Sequence, residues 1–448
     1  MRIIGLDVGT TTVCAAVIDA GSGEMLRSVT RPNAAALTSV YPFERIQDPA
    51  VILGLCEKMA GSLIGEYGPI AAIGVTGQMH GIVYLDRRGD AVSPLHYWQD
   101  ESGNEPYRNS TYAAYLSGVT GYKMASGFGG TTFFYHTVNN RVPQGATVFC
   151  TIHDYVAMKL AGAAVPLSHV SDAASFGLFD LDRGGFDRAA AAKAGLDDAF
   201  FPQVTDRFEI LGEYRGIPVT VAVGDNQASY LGCVRDTGES VLVNIGTGGQ
   251  VSYLTESPAP VSGLEIRPCY TGHYLAVGSS LCGGRAFALL ENFLRESAAL
   301  VTGGPACSAY PAIDRYLAEN PPPADALDVS TKFSGTRENP GERGFIKNIG
   351  TGNFTPGHLI WGVLGGICGE LLEMYRAGGA AGHTKLVGSG NGLRKNPALQ
   401  KLFAERFALP LLIPRHSEEA AFGAALTAMA AAGISKDITQ AQKIIEYR

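Results

Sequence analysis

The chain has 448 residues, 46% of them hydrophobic, which is ample for sizeable cores and, at ordinary domain sizes, for about two to four domains. A net charge of −7 without a Lys/Arg cluster argues against nucleic acid or an anionic membrane as the main partner, while leaving room for a small anionic ligand held by backbone groups. The eight cysteines are scattered with no C-x-x-C pair, no secretory leader pattern opens the chain, and no apolar stretch approaches about 18 residues. The expectation is a reduced, cytoplasmic protein without a membrane span.

In chain order, "IIGLDVGTTTVCAAVID" reads as strand, tight Gly-Thr turn, strand. Asp7 stands inside the apolar run expected of a doubly buried strand, so its carboxylate needs a partner or bears a large desolvation cost. "PAVILGLCEKMAGSLIGEYG" has a helical pattern, and "IAAIGVTG" is a short strand leading to Gln78 and His80, with Trp98 and Asp100 downstream in "HYWQDESG". "GATVFCTI" and "IPVTVAVGD" read as further strands, the second ending at Gly224 with a helix from about Asp225.

"SVLVNIGTGGQVSYLT" at 240–255 repeats the strand-turn-strand of the N-terminus. Residues 297–345, rich in Pro, Gly and charge, read as loop or insertion. "HLIWGVLGGICGELLEMYRA" returns to helix, and "KLVGSGNGLRKNPALQKLF" to strand, glycine-rich loop and a helix with Pro397 in its first turn. This alternation is that of the α/β class. The repeated turn predicts two related domains, 1–237 and 238–448, whose turns face each other across a cleft.

Glycine lets backbone approach a ligand closely, successive amides form an anion-binding nest, and threonine adds donors. Gly9-Thr10-Thr11 and Gly246-Thr247 therefore suit a phosphate chain, with a plain hairpin turn as the alternative. Asp7 beside phosphates would suit hydrated Mg²⁺, against the simpler reading of a buried carboxylate satisfied by turn amides. Asp225 reads either as a helix N-cap or, at a strand's carboxyl end beside a cleft, as the base that takes a hydroxyl proton in phosphoryl transfer, with Asn226 fixing a neighbouring hydroxyl.

Gln78, His80, Trp98 and Asp100 together offer the mixed polar groups that a polyhydroxylated ligand requires, though a satisfied core histidine and a packing tryptophan fit equally. The loop Gly388-Ser389-Gly390-Asn391-Gly392 could admit a nucleotide by close backbone approach, and it is not a G-x-G-x-x-G pattern. No G-x-x-x-x-G-K-[ST], H-E-x-x-H or G-x-S-x-G occurs, so phosphate binding here is not that of a P-loop.

Taken in order, Asp7-x-Gly9-Thr10-Thr11, Gly77-Gln78-Met79-His80-Gly81, Gly224-Asp225-Asn226-Gln227, Gly246-Thr247, "FSGTRENPGERG", "LVGSGNGLRKNPALQ" and "EEAAFGAAL" resemble the motifs of the FGGY carbohydrate kinases, members of the actin-like ATPase superfamily with ribonuclease H-like domains. The resemblance runs nearly end to end. Within the family, "WQD", "SGFGGTTFFYH", "TIHDYVAMKLAG", "SDAAS" and "GDNQASYLGC" are most similar to the members acting on the terminal hydroxyl of a seven-carbon ketose, with other ketose kinases as the alternative.

The resemblance implies ATP-dependent phosphorylation of a ketose, with ATP and Mg²⁺ as cofactors. It implies Asp225 as general base and Asp7 as Mg²⁺ ligand, and Gly9, Thr10, Thr11, Gly246 and Thr247 at the phosphates. Gly388, Gly390 and Asn391 fall at the nucleoside, and Gln78, His80, Trp98, Asp100 and Asn226 at the sugar. Ser389 interrupts a glycine run usual in the family, which leaves the adenine contacts open. An actin-like ATPase switch without a sugar would have no use for Gln78, His80 and a hydroxyl-activating Asp225 together.

Overall fold

The computed structural model describes residues 1–337, 339–379 and 382–448. The first half is built on a seven-stranded sheet. Its strands are β1 (Arg2–Val8), β2 (Thr12–Asp19), β3 (Met25–Pro32), β4 (Ile70–Gly77), β5 (Ile210–Tyr214), β6 (Ile217–Thr220) and β7 (Val223–Gly224). The order across the sheet is β5-β6-β4-β1-β2-β3, with β7 also paired to β4. β1, β2 and β3 form an antiparallel meander, whereas β4 runs parallel to β1 and the short β6 and β7 run parallel to β4. The apolar residues of β1 and β2 are buried on both faces, as their continuous hydrophobic runs require.

Helices α1 (Pro49–Tyr67) and α2 (Ile152–Leu160) cover one face, and α3 (Asp225–Cys233) follows β7 directly. Asp48 caps α1 by accepting from the Ala50 and Val51 amides, with Pro49 at the first helical position. "GATVFCTI" contributes only Val148–Cys150, which pairs with Val83–Leu85 outside the main sheet and rests on a cluster of aromatic side chains including Phe133, Phe149 and Phe176.

The second half repeats the plan with β8 (Ser240–Ile245), β9 (Gly249–Thr255), β10 (Glu265–Tyr270), β11 (His273–Ser280), β12 (Lys385–Ser389) and β13 (Leu411–Leu412), in the order β10-β11-β9-β8-β12-β13. β8 and β12 are parallel, like β1 and β4. The repeat is imperfect, because β10 is an added hairpin strand outside β11. Helices α4 (Gly284–Thr302), α5 (Tyr310–Glu319), α6 (Pro356–Ala377) and α7 (Pro397–Phe407) surround this sheet.

The expectation that 297–345 is loop needs correction, since α4 runs to Thr302 and α5 buries Ile313 and Leu317 in the second core. Proline and charge there mark the helix ends and the exposed faces. Glu338, within that segment, lies outside the described residues.

The two halves are joined by α8 (Glu419–Ala431), whose alanine-rich sequence is buried nearly all round. It lies on β1 and β4 of the first sheet and against α3. Gly5 and Gly74 are register partners on β1 and β4, and a Cβ on them would stand 1.8 Å from the Ala421 carbonyl oxygen and 1.9 Å from that of Ala424. Helix backbone therefore sits directly on sheet backbone. The surrounding core takes Ile3 and Ala72 from the first sheet and Leu242, Val277 and Val387 from the second. No described helix is long and apolar enough to cross a membrane, and all eight cysteines are free.

A Cβ on Gly423 would meet the Ala228 carbonyl oxygen at 1.8 Å, so Gly423→Ala should cost roughly 1–3 kcal/mol or more by overpacking. Gly65→Ala, on a part of α1 with open space around it, should be neutral or stabilise by about 0.5–1 kcal/mol. Urea-unfolding midpoints of the two variants test the contrast. Equal midpoints would mean that α8 is not seated this closely.

Candidate active site

Three strands end at one level. Val8 and Gly224 both pair with Gly77, so Asp7, Gln78 and Asp225, each adjacent to one of these residues, emerge side by side at the carboxyl end of the first sheet. The β8–β9 turn of the second sheet lies opposite, and between them is a cavity of about 750 Å³ lined by residues of both halves. Asp7, Gly9, Thr10, Gln78, His80, Trp98, Asp225, Asn226, Gly246 and Thr247 all line it. Thr11, Asp100, Gly388, Gly390 and Asn391 do not.

The second turn is built against a helix start. The Gly284 and Arg285 amides donate to the carbonyls of Gly246 and Thr247, at 2.8 and 3.0 Å. This docks the amino end of α4 on the turn. The partial positive charge of a 19-residue helix thus faces the cavity next to Arg285, which suits an anionic ligand. Arg267 and Arg337 also line the cavity. Sequence reading missed Arg267, Arg285, Ser229, Asn244 and Gln250; Ser229 lies one helical turn after Asp225 and Asn244 and Gln250 pair across the second Gly-Thr turn, whereas no local pattern marks the two arginines.

Asp225 is the first residue of α3, one position past the N-cap at Gly224, and its carboxylate accepts from the Asn226 amide at the helix start. Burial raises its pKa to about 6, opposed by the nearby His153 imidazole and then reinforced by Asp172. Burial, followed by the negative charge of Asp225, raises Asp7 to about 7. His153 on α2 is fully buried, with its Nε2 2.7 Å from Asp172 Oδ1. Although burial opposes its charged form, Asp172 holds its pKa up at about 9, which leaves an imidazolium beneath the two aspartates near neutral pH.

The side chains at the first turn are tied to one another. Trp98, about half exposed, donates from Nε1 to Thr10 Oγ1 at 2.9 Å, and the Thr10 hydroxyl donates to Gln78 Oε1 at 2.9 Å. Gln78 Nε2 donates to Gln47 Oε1, whose amide in turn donates to the Thr10 carbonyl. Gln78 is therefore a brace between turn and strand end, with both ends of its amide committed. Asn226 Nδ2 donates to Gln250 Oε1 at 3.0 Å and Asn226 Oδ1 accepts from Arg267 Nη1 at 3.1 Å, so Asn226 bridges the two halves.

The five residues away from the cavity need separate readings. Asp100 is 1% exposed, and its carboxylate accepts from the amides of Ser102 and Arg45 at 3.0 and 3.3 Å, so it shapes the loop that presents Trp98. Thr11 is exposed and uses its carbonyl to accept from the Asn33 amide. Gly390 has φ +80° and packs where a Cβ would stand 2.5 Å from the Ile245 carbonyl oxygen and 2.9 Å from Asn244 Oδ1. Gly390 thus sits directly behind Asn244, which does line the cavity, whereas Gly388 is buried against Leu393, Ile413 and Leu411 and Asn391 is exposed. Ser389, the residue that breaks the glycine run, is fully buried.

Glu44, His96 and His136 form another buried group whose ligand atoms lie within 4.8 Å of one another. Arg141 and Ser39 already donate to the two oxygens of Glu44, so this is a satisfied ion pair with histidines packed beside it.

Residues 2–237 match the N-terminal domain of the FGGY family of carbohydrate kinases, and residues 241–432 match its C-terminal domain. The chain belongs to this family and is an ATP-dependent carbohydrate kinase of two α/β domains. It is similar to sedoheptulokinases: it is 28% identical to that of Mus musculus over 467 residues, covering 94% of this chain and 96% of the relative. It is 25% identical to the glycerol kinase of Trichlorobacter lovleyi, covering 97% and 91%. The ligand-bound xylulose kinase from Lactobacillus acidophilus shares the fold, with a TM-score of 0.84 at 18% identity over 100% of this chain and 92% of that one.

With Asp225 as the group that takes the acceptor's proton, an expectation this experiment tests, kcat/KM for the acceptor should fall about tenfold per pH unit below about 6 and level off above it. Removing the imidazolium with His153→Gln takes away the charge that lowers the Asp225 pKa, so this acid limb should move to higher pH. A pH–rate profile of both proteins checks this. An unmoved limb in the variant would mean that His153 does not act on the ionisation.

Proposed function

We propose that this sugar kinase transfers the γ-phosphate of ATP to the terminal primary hydroxyl of a ketose, with sedoheptulose as acceptor and sedoheptulose 7-phosphate as product. The observation that carries the reading is the meeting, in one cavity, of both Gly-Thr turns with Asp225, Asn226 and His80. Phosphoryl transfer asks chiefly for in-line positioning and charge neutralisation, and a cleft between two domains supplies both. The nearly full-length likeness to the sedoheptulokinases supports the choice of acceptor.

Asp225 takes the hydroxyl proton as the acceptor oxygen attacks. Its pKa near 6 leaves it ionised at neutral pH and still basic enough to bind the proton. The turns at Gly9-Thr10 and Gly246-Thr247 hold phosphates mainly through backbone, since the Thr10 hydroxyl is engaged with Gln78. Arg267 and Arg285 add positive charge on the second wall. His80, Asn226 and Trp98 face the sugar.

Two buried carboxylates with pKa values raised chiefly by burial fit a site for a divalent cation, because a cation there would stabilise their charged forms. Asp7 would hold Mg²⁺, directly or through water. The ion supplies neutralisation of phosphate charge.

Acceptor-dependent ADP release from Mg-ATP, measured in parallel with sedoheptulose, xylulose, ribulose, fructose and glycerol, tests the assignment. Sedoheptulose should give the highest kcat/KM, with the phosphate placed on the terminal carbon by ³¹P NMR of the product. Preference for xylulose would overturn the acceptor and keep the chemistry. ADP release indifferent to every sugar would overturn both.

A further inference from the structure

Ser175 lies outside the main cavity, 5% exposed, in the short turn Ala174–Phe176 that follows the helix Val170–Ala173. Its hydroxyl donates to the Asp172 carbonyl at 2.6 Å and accepts from the His80 amide at 3.0 Å. Its own carbonyl lies 2.8 Å from His80 Nδ1. One residue therefore grips both the backbone and the ring of His80.

The grip has two physical consequences. First, His80 has φ +75°, a left-handed backbone conformation that a non-glycine residue holds only when neighbours impose it, and the Ser175 hydroxyl bonds the His80 amide itself. Second, a carbonyl oxygen can only accept, so the 2.8 Å contact requires the proton of the neutral ring on Nδ1. Nε2 is then a bare acceptor. Phe128 stacks on the ring at 4.8 Å between centroids and 9° between planes, which fixes its orientation, and burial keeps the ring neutral by lowering its pKa to about 4.

The same short segment also reaches the general base, because the neighbouring Ser171 hydroxyl accepts from the Gly224 amide at 3.0 Å, one residue before Asp225. Asp172 between them receives the buried His153 ring. The segment 171–175 is thus a common support for the two loops that would meet the acceptor.

We infer that Ser175 is a positioning residue that fixes His80 in the Nδ1-protonated tautomer, so that His80 Nε2 accepts a hydrogen bond and selects an acceptor presenting a hydroxyl there over one presenting a carbonyl or ether oxygen. The selectivity follows from chemistry: a hydroxyl can donate to the bare nitrogen, whereas a carbonyl or ether oxygen opposite it leaves two acceptors facing one another. The inference rests on the reading of His80 as a sugar-facing residue.

The test compares wild type with Ser175→Ala and Ser175→Thr. Long-range ¹H–¹⁵N spectra of histidine-labelled protein, with the His80 signal assigned through His80→Gln, should show a pyrrole-type Nδ1 and a pyridine-type Nε2 in wild type and in the threonine variant. Ser175→Ala should keep the carbonyl contact but loosen the backbone, giving a mixed or shifted ring signature. The acceptor KM should rise roughly five- to tenfold, the scale of the hydrogen bond lost at the His80 amide, with the ATP KM unchanged and recovery in the threonine variant.

A wild-type spectrum with the proton on Nε2 would overturn the inference, whether or not any variant folds. Equal rises in both KM values without change at His80 would also overturn it, because a structural role alone would do that. If no sugar is phosphorylated, the proposed activity falls while the wild-type spectrum still decides the tautomer.

Discussion

Two carboxylates that repel each other, Asp7 and Asp225, are brought together by the pairing of Val8 and Gly224 with the same residue, Gly77. Burial raises both pKa values, with the Asp225 charge adding to it at Asp7 and the Asp172 charge at Asp225. The fold answers with a buried counter-charge, the His153 imidazolium held by Asp172, and with Arg267, Arg285 and Arg337 around the cavity.

The rest of the architecture serves to keep that floor fixed and its opposite wall near. Glycines at 5, 74 and 423 let α8 lie directly on the first sheet and on α3, so the elements that carry Asp7 and Asp225 share one rigid support. The second wall is set by a comparable close contact: a Cβ on Gly283 would stand 2.2 Å from the Gly248 carbonyl oxygen, which brings the start of α4 to the second Gly-Thr turn. The Asn226 link to Gln250 and Arg267, the Gln227 bond to the Pro268 carbonyl and the core around α8 hold the halves facing each other. Closure around substrates would tighten this cleft and exclude water, which limits wasteful ATP hydrolysis.

The α/β plan and both Gly-Thr turns were legible because they depend on short-range features: β-branched runs, glycine at tight turns, and a carboxylate where an apolar strand should not have one. The start of α3 at Asp225 and of α7 at Asn396-Pro397 were legible for the same reason. The extra strand β10, the helical content of 297–319 and the spread of Arg267 and Arg285 along the chain were not, since each is decided by packing between distant segments. Asp100 shows the limit from the other side. It has the right chemistry in the right loop, yet its carboxylate is turned inward to two backbone amides, and nothing local in "HYWQDESG" distinguishes that from facing a ligand. The glycines of 388–392 likewise have close packing against Leu393 and Ile245 as a sufficient cause, independent of any nucleotide.

The most direct test of the account is Asp225→Asn, examined by calorimetric Mg-ATP binding together with turnover on the preferred sugar. Removing one of two repelling carboxylates while keeping the shape should leave Mg-ATP affinity equal or higher and reduce turnover by about 10²–10⁴-fold, the usual contribution of a general base. Loss of Mg-ATP binding together with loss of thermal stability would contradict it, and would make Asp225 a structural residue at the start of α3.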